Sequence, residues 1–184
     1  EVDWQLQQHL VQIARDVEVG FIKNTMVEPA NNSTARKTAG LASVITTNVK
    51  NNVDTTLDKD DILDVMQMCY DNGGLMEGET RVLMVGSTQK RAISDAFVNA
   101  TDGYRWQDSN VGGVNCQSIE ADFGKLNVML NRHVPSDEAY VLSLEDLDVA
   151  FLEVPGKGHF FVEPLSKTGA ADKYQIYGEI GLKY

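Results

Sequence analysis

The chain has 184 residues, 42% of them hydrophobic and 23% charged, the balance of an ordinary globular domain, which excludes disordered, collagen-like and coiled-coil architectures. Sixteen Lys and Arg stand against 27 Asp and Glu for a net charge of −11, the wrong sign for a surface built to neutralise phosphates non-specifically. No stretch approaches the roughly 20 apolar residues of a membrane helix, and Glu1 to Gln8 carry no basic or apolar leader pattern, so the expectation is a soluble chain without an export signal.

Val2, Leu6, Leu10, Ile13, Val17 and Phe21 recur at helical spacing and predict a helix over Val2 to Ile22, about 30 Å long. Its other face carries Gln5, Gln8, Gln12, Arg15 and Glu18, so it should lie on a core rather than inside one. The chain starts at Glu1 directly in this pattern, which reads as a truncated or processed product. Asn24 to Lys37 has no period, holds Pro29 and a polar run, and reads as an exposed loop. Gly40 to Asn48 fits a short strand or a helix equally.

Asp58, with Asp61 three residues on, is a helix N-cap signal. Ile62, Leu63, Met66, Cys69 and Tyr70 then form an apolar stripe that Asn72, Gly73 and Gly74 bring to an end. Arg81 to Val85 is a buried strand, and Ser87 caps a following helix whose Ala92, Ile93, Ala96 and Phe97 face inward. Thr101 to Gly113, with three glycines plus Tyr104 and Trp106, reads as a long surface loop. Leu126, Val128 and Leu130 alternate with Asn127, Met129 and Asn131 after a turn at Phe123 to Lys125, the pattern of a hairpin. Short strands follow at Tyr140 to Leu142, Val149 to Val154 and Phe160 to Val162. A final alternation sets Tyr174, Ile176, Ile180, Leu182 and Tyr184 against Lys173, Gln175, Glu179 and Lys183. Helices early and strands late make an α+β chain.

The candidate chemistry is thin. His9, His133 and His159 share no helical spacing with one another or with a cysteine, so no metal signature exists. Cys69 and Cys116 sit in apolar patterns and read as buried free thiols, which fits a reducing, intracellular origin. Asp54, Asp58, Asp60, Asp61 and Asp64 lack the central Gly and closing Glu of an EF-hand; capping and a solvated helix face account for them, with acid–base work in a cleft as the functional alternative. Asp122-Phe123-Gly124 spells the kinase magnesium motif without any of its companion motifs, and reads as a hairpin turn. Gly156-Lys157-Gly158 and Gly86-Ser87-Thr88 are turn and cap chemistry rather than phosphate loops. Asn31, Asn32 and Asn99 each begin an Asn-x-Ser/Thr sequon, read here as loop polarity. No catalytic, cofactor-binding or metal-ligating residue is assigned, and none of these observations points to an enzyme. Tyr104, Arg105 and Trp106 are the candidate subunit-interface residues, because exposed aromatics beside an Arg are interface-like composition.

The run from Leu165 to Gly169, then Asp172 to Glu179 and Gly181-Leu182, resembles the major capsid proteins of tailed bacteriophages. Ala35-Arg36-Lys37 with Gly40-Leu41, Thr47-Asn48, Tyr70 to Gly74, Asp122 to Lys125, Asn131-Arg132 and Pro135 agree in the same order. The resemblance implies the capsid fold shared by tailed phages and herpesviruses, with a peripheral domain built on a spine helix and long strands, and an axial domain pointing at the capsomer centre. On this chain it implies residues 1–53 as the spine helix and start of the peripheral domain, 54–113 as the axial domain, and 114–184 as strands completing the peripheral domain. The Thr101 to Gly113 loop would be the axial tip. The family's N-terminal arm and extended loop precede the spine helix and are missing here, so the fragment alone is expected to close a shell poorly.

The implied function is structural: an icosahedral head subunit of a phage or prophage that self-assembles into pentamers and hexamers around the genome, with no cofactor. Its implied partners are copies of itself, with a scaffolding or portal protein, and neither sequence-specific nucleic acid nor membrane. Its implied place is the virion capsid, assembled in the bacterial host cytoplasm. The other function classes are a small α+β enzyme using carboxylates between Asp58 and Asp64, which requires a pocket with convergent polar groups, and an acidic protein-binding module presenting the Tyr104 to Trp106 loop.

Overall fold

In Arg81–Val85 (β1) the four residues after Arg81 are apolar with no polar alternation, a pattern stable only where a strand is covered on both faces; Val82, Leu83 and Val85 are buried. The computed structural model describes residues 2–52, 56–76, 79–98, 106–111 and 114–184, with the backbone alone at 96–98, 106–111 and 114–117. Around β1 stand Trp106–Val111 (β2), Val114–Ala121 (β3), Gly124–Leu130 (β4) and Ala139–Ser143 (β5), in the sheet order β2-β3-β4-β1-β5. The β1–β4 pair is parallel and the other pairs are antiparallel. The helix Ser87–Val98 (α4) belongs to the crossover that the parallel pair requires.

Lys59–Asp71 (α3) begins where expected. The Asp58 side chain accepts from the Asp61 N–H at 2.8 Å, and Asp61 accepts from the Asp58 N–H at 3.2 Å, a reciprocal capping box. Past the helix end, Gly73 takes φ +86, a conformation that favours glycine. Ile62 and Met66 of α3, Ile93 of α4, and Leu83, Val85, Ile119, Leu126 and Val128 of the sheet make one core on one face. Val82 packs with Met84, Met129 and Leu144 on the other.

The chain divides into two units: Ala42–Asp146 holds this sheet and its helices, while Glu1–Leu41 and Leu147–Tyr184 form the other. Val2–Lys23 (α1) opens the second, and Leu41–Val44 (α2) is one helical turn. Asp148–Phe151 (β6) pairs with Ile180–Lys183 (β9), and Phe160–Thr168 (β7) with Ala171–Gly178 (β8), as two separate two-stranded sheets. The last turn of α1 is anchored at Gly40, whose N–H donates to the Asn24 carbonyl at 2.7 Å. A Cβ at Gly40 would lie 2.7 Å from the Gly20 carbonyl oxygen.

Several expectations are corrected. The segment read as a loop over Thr101 to Gly113 contains β2, a six-residue strand paired with β3; residues 101–105 and 112–113 lie outside the described residues. Ser87 is the first helical residue of α4 rather than its cap, and the Gly86 carbonyl accepts from the Lys90 N–H. The final alternation is two strands that part at Glu179, because β6 takes over as partner there and the Leu152 N–H donates to the Glu179 carbonyl. Cys69 is half-buried, not buried. Leu130 is exposed whereas Asn127 is buried, its amide donating to the Arg81 carbonyl. The helix α1 meets a core only at its end, where Gly20 and Ile22 are buried.

Candidate functional site

The α3 N-terminus lines a pocket of about 480 Å³ with Lys50, Asn52, Leu57, Gln89 and Glu138 among its walls. Lys50 Nζ lies 2.9 Å from Asp61 Oδ1 and 2.5 Å from Asp64 Oδ2. Burial is the largest single influence on Asp61 and works against its ionisation, but the hydrogen bonds from Lys50, the Asp58 backbone and Asn52, with the charge of Lys50, together outweigh it and leave the carboxyl below its ordinary value; the bonds to Asp61 and Asp64 raise Lys50. Gln89 Oε1 accepts from the Leu57 N–H at 2.9 Å and its Nε2 donates to the Ser136 carbonyl at 2.7 Å. Tyr140 donates to Glu138, and burial followed by that carboxylate pushes its hydroxyl up. These groups tie the segments around Lys50 and Ser136 to the helix starts. Of the carboxylates that acid–base chemistry would need, Asp58 and Asp61 cap α3, and Asp61 and Asp64 are the counter-ions of Lys50. Among the described residues, no three His, Cys, Asp or Glu side chains gather as a metal site.

The second surface is apolar and belongs to the α1 unit. Ile22 and Leu41 are its only buried large hydrophobic residues among those described. Trp4 is 64% exposed and Phe151 50%, and Leu10, Leu152, Val162 and Tyr174 are exposed with them. A two-stranded sheet is marginal without something packed on it. Charge is divided in the same way. The α1 unit has ten acidic and eight basic residues, and the sheet unit 17 and eight.

Of the predicted interface residues, Tyr104 and Arg105 lie outside the described residues, and Trp106 is described only as the first backbone position of β2. The side chain of Cys116 and all of Asn99 and Asp54 are likewise outside them. Asp122 and Phe123 form the β3–β4 turn, with Gly124 at φ +109 and the Phe123 carbonyl accepting from Arg81 Nη1 at 2.8 Å. Gly156 and Gly158 take φ +79 and +85 in a turn closed by the Val154–Gly158 bridge. Sequence reasoning missed Lys50 and Gln89, whose partners lie 11 to 47 residues away; no local signal marks either.

A family model described as SU10 major capsid protein matches residues 1–184. No curated protein matches the chain. Among the described residues no helix is long and apolar enough to cross a membrane.

Proposed function

The chain belongs to the SU10 major capsid protein family and is a structural subunit of a phage head, and from that premise we propose that its copies gather into pentamers and hexamers through the α1 unit. The observation that carries this reading is the exposed apolar surface of that unit, in which Ile22 and Leu41 are the only buried large hydrophobic residues among those described. A segment that cannot complete its own core is completed by neighbours, as in obligate assemblies.

In this reading the chain has the tailed-phage and herpesvirus capsid fold. The helix α1 is the spine helix, the α1 unit is the peripheral domain, and Ala42–Asp146 is the axial domain. Tyr104, Arg105 and Trp106, leading into β2 at the sheet edge, are contacts at the capsomer centre. The role is structural, without a catalytic step; the polar groups of the Lys50 pocket are engaged with one another, which supports this. A scaffolding or portal protein joins the assembly, which takes place in the host cytoplasm before the subunit resides in the virion capsid.

Negative-stain electron microscopy of the complete gene product tests the reading. Uniform shells, hexamers or pentamers are expected. A monodisperse compact monomer at high concentration, with or without co-expressed scaffold, overturns it.

A further inference from the structure

The segment 48–52 is strapped along α3 from the last turn of the helix to its first. Asn72 Nδ2 donates to Asn48 Oδ1 at 3.0 Å, Lys50 pairs with Asp64 and Asp61, and the Asn52 side chain bonds to Asp61. The Asn72 amide also donates to the Met68 carbonyl at 2.8 Å, beside the backbone N–H of the same residue at 3.3 Å. Asn72 therefore fastens one end of the strap and the end of α3 together. It is also the one asparagine of the chain that a glycine follows; Thr, Asn, Ser, Val, Ala, Cys or Arg follows each of the others. Asn72 and Gly73 are both exposed. With no side chain on the following residue, the backbone nitrogen of that residue has an open approach to the amide carbon of the asparagine.

We propose that Asn72 is a site of spontaneous deamidation and that the reaction releases the Asn48 end of the strap. The Gly73 nitrogen, giving up its proton to base, attacks Asn72 Cγ; the new C–N bond closes a succinimide ring, and the Cγ–Nδ2 bond breaks to release ammonia. Water then opens the ring at either carbonyl and leaves aspartate or isoaspartate. The fold slows this chemistry without abolishing it. A ψ of 14° at Asn72 turns the Gly73 nitrogen away from Cγ, and the Gly73 N–H is bonded to the Tyr70 carbonyl at 3.0 Å, so the peptide must leave its turn before the ring can close. Helix ends open at a small cost in free energy, and Gly73 and Gly74 give this turn no side chains to pack. The product differs from the reactant at the strap itself: a carboxylate has no proton to donate to Asn48 Oδ1 or to the Met68 carbonyl. It also places a negative charge at the negative end of the helix dipole, next to Asp71, in a unit that already carries 17 acids against eight bases.

Peptide mass mapping of the complete gene product held in mildly alkaline buffer tests the proposal. The peptide that contains Asn72 is expected to gain the mass of an amide-to-acid exchange and to split into two chromatographic forms, ahead of every other asparagine peptide. Because the turn must open first, conversion should be about tenfold slower in the folded chain than in urea. In urea, where no fold is at stake, Gly73→Ala is expected to slow conversion of Asn72 by about tenfold or more, since the added methyl group crowds the attacking nitrogen. Deamidated chain, separated from unmodified chain by ion exchange, should be cut by trypsin after Lys50 about fivefold faster, because the strap is held at one end only, and Asn72→Asp should reproduce that rate. Another asparagine converting before Asn72, equal conversion in the folded chain and in urea, or unchanged cleavage after Lys50 in the deamidated chain would each overturn the proposal.

Discussion

Asp58 and Asp61 illustrate what a single residue type at a fixed spacing decides. Their reciprocal cap is local in sequence and could be read from it, whereas the ion pair from Lys50 to Asp61 bridges 11 positions and has no sequence signature. That pair has a defined pH dependence. The carboxyl of Asp61 is held below its ordinary value, so its contribution is fully present above about pH 3.9 and is lost as the pH falls through the lower folded value. Lys50 is raised, so its share persists below its ordinary value of about 10.4 and fades only above it. Asp61→Asn should therefore flatten the acid limb of stability, read as the urea midpoint between pH 7 and pH 3; a wild-type slope in the variant would contradict this. Gly40 is the other residue with a sharp outcome. Its missing Cβ leaves room for the Gly20 carbonyl and for the backbone of Ile22 and Asn24, within 2.7 to 2.9 Å. Gly40→Ala is expected to cost about 1–3 kcal/mol, seen as a lower unfolding temperature and faster proteolysis near Asn24.

At the scale of elements, periodicity reported which side of α1 is apolar but carried no information on what covers it. The stripe from Val2 to Val17 is present as read, yet none of the described residues before Gly20 is buried. For β2 the reason is different: Trp-Gln-Asp-Ser-Asn-Val has no apolar alternation, and its strand state comes from pairing with β3, a tertiary fact. The parting of β8 from β9 was hidden because the alternation of Ile176, Ile180 and Leu182 keeps its phase across Glu179. By contrast, β1, α3 and the β3–β4 turn were legible, since each is fixed by a cap, a glycine or a continuous apolar run. An uncovered helix and two-stranded ribbons open easily on their own. Amide hydrogen exchange should therefore be fast in α1, β7 and β8 of the unassembled chain, slow in β1 and β4, and strongly slowed in the first group after assembly. Equal protection of both groups in the unassembled chain would show that the α1 unit is stable without neighbours.

For the whole molecule, the net charge of −11 sets a long-range repulsion between copies, and 17 of the 27 acids lie in the sheet unit. Salt shortens that repulsion, from a Debye length of about 30 Å at 0.01 M to about 10 Å at 0.1 M. Assembly followed by light scattering should therefore accelerate over that range; a rate that falls would mean that attractive ion pairs dominate the encounter. The order of the units along the chain has a further consequence. Ala42–Asp146 is one uninterrupted stretch set between the two halves of the other unit, and β9 meets α1 only through residues near the C-terminus. On the ribosome, at roughly 5–20 residues per second, the sheet unit has all its residues before β9 exists, while α1 waits about ten seconds or longer for that strand. The acidic half is thus available to fold first, and the α1 unit is completed only once β9 has followed.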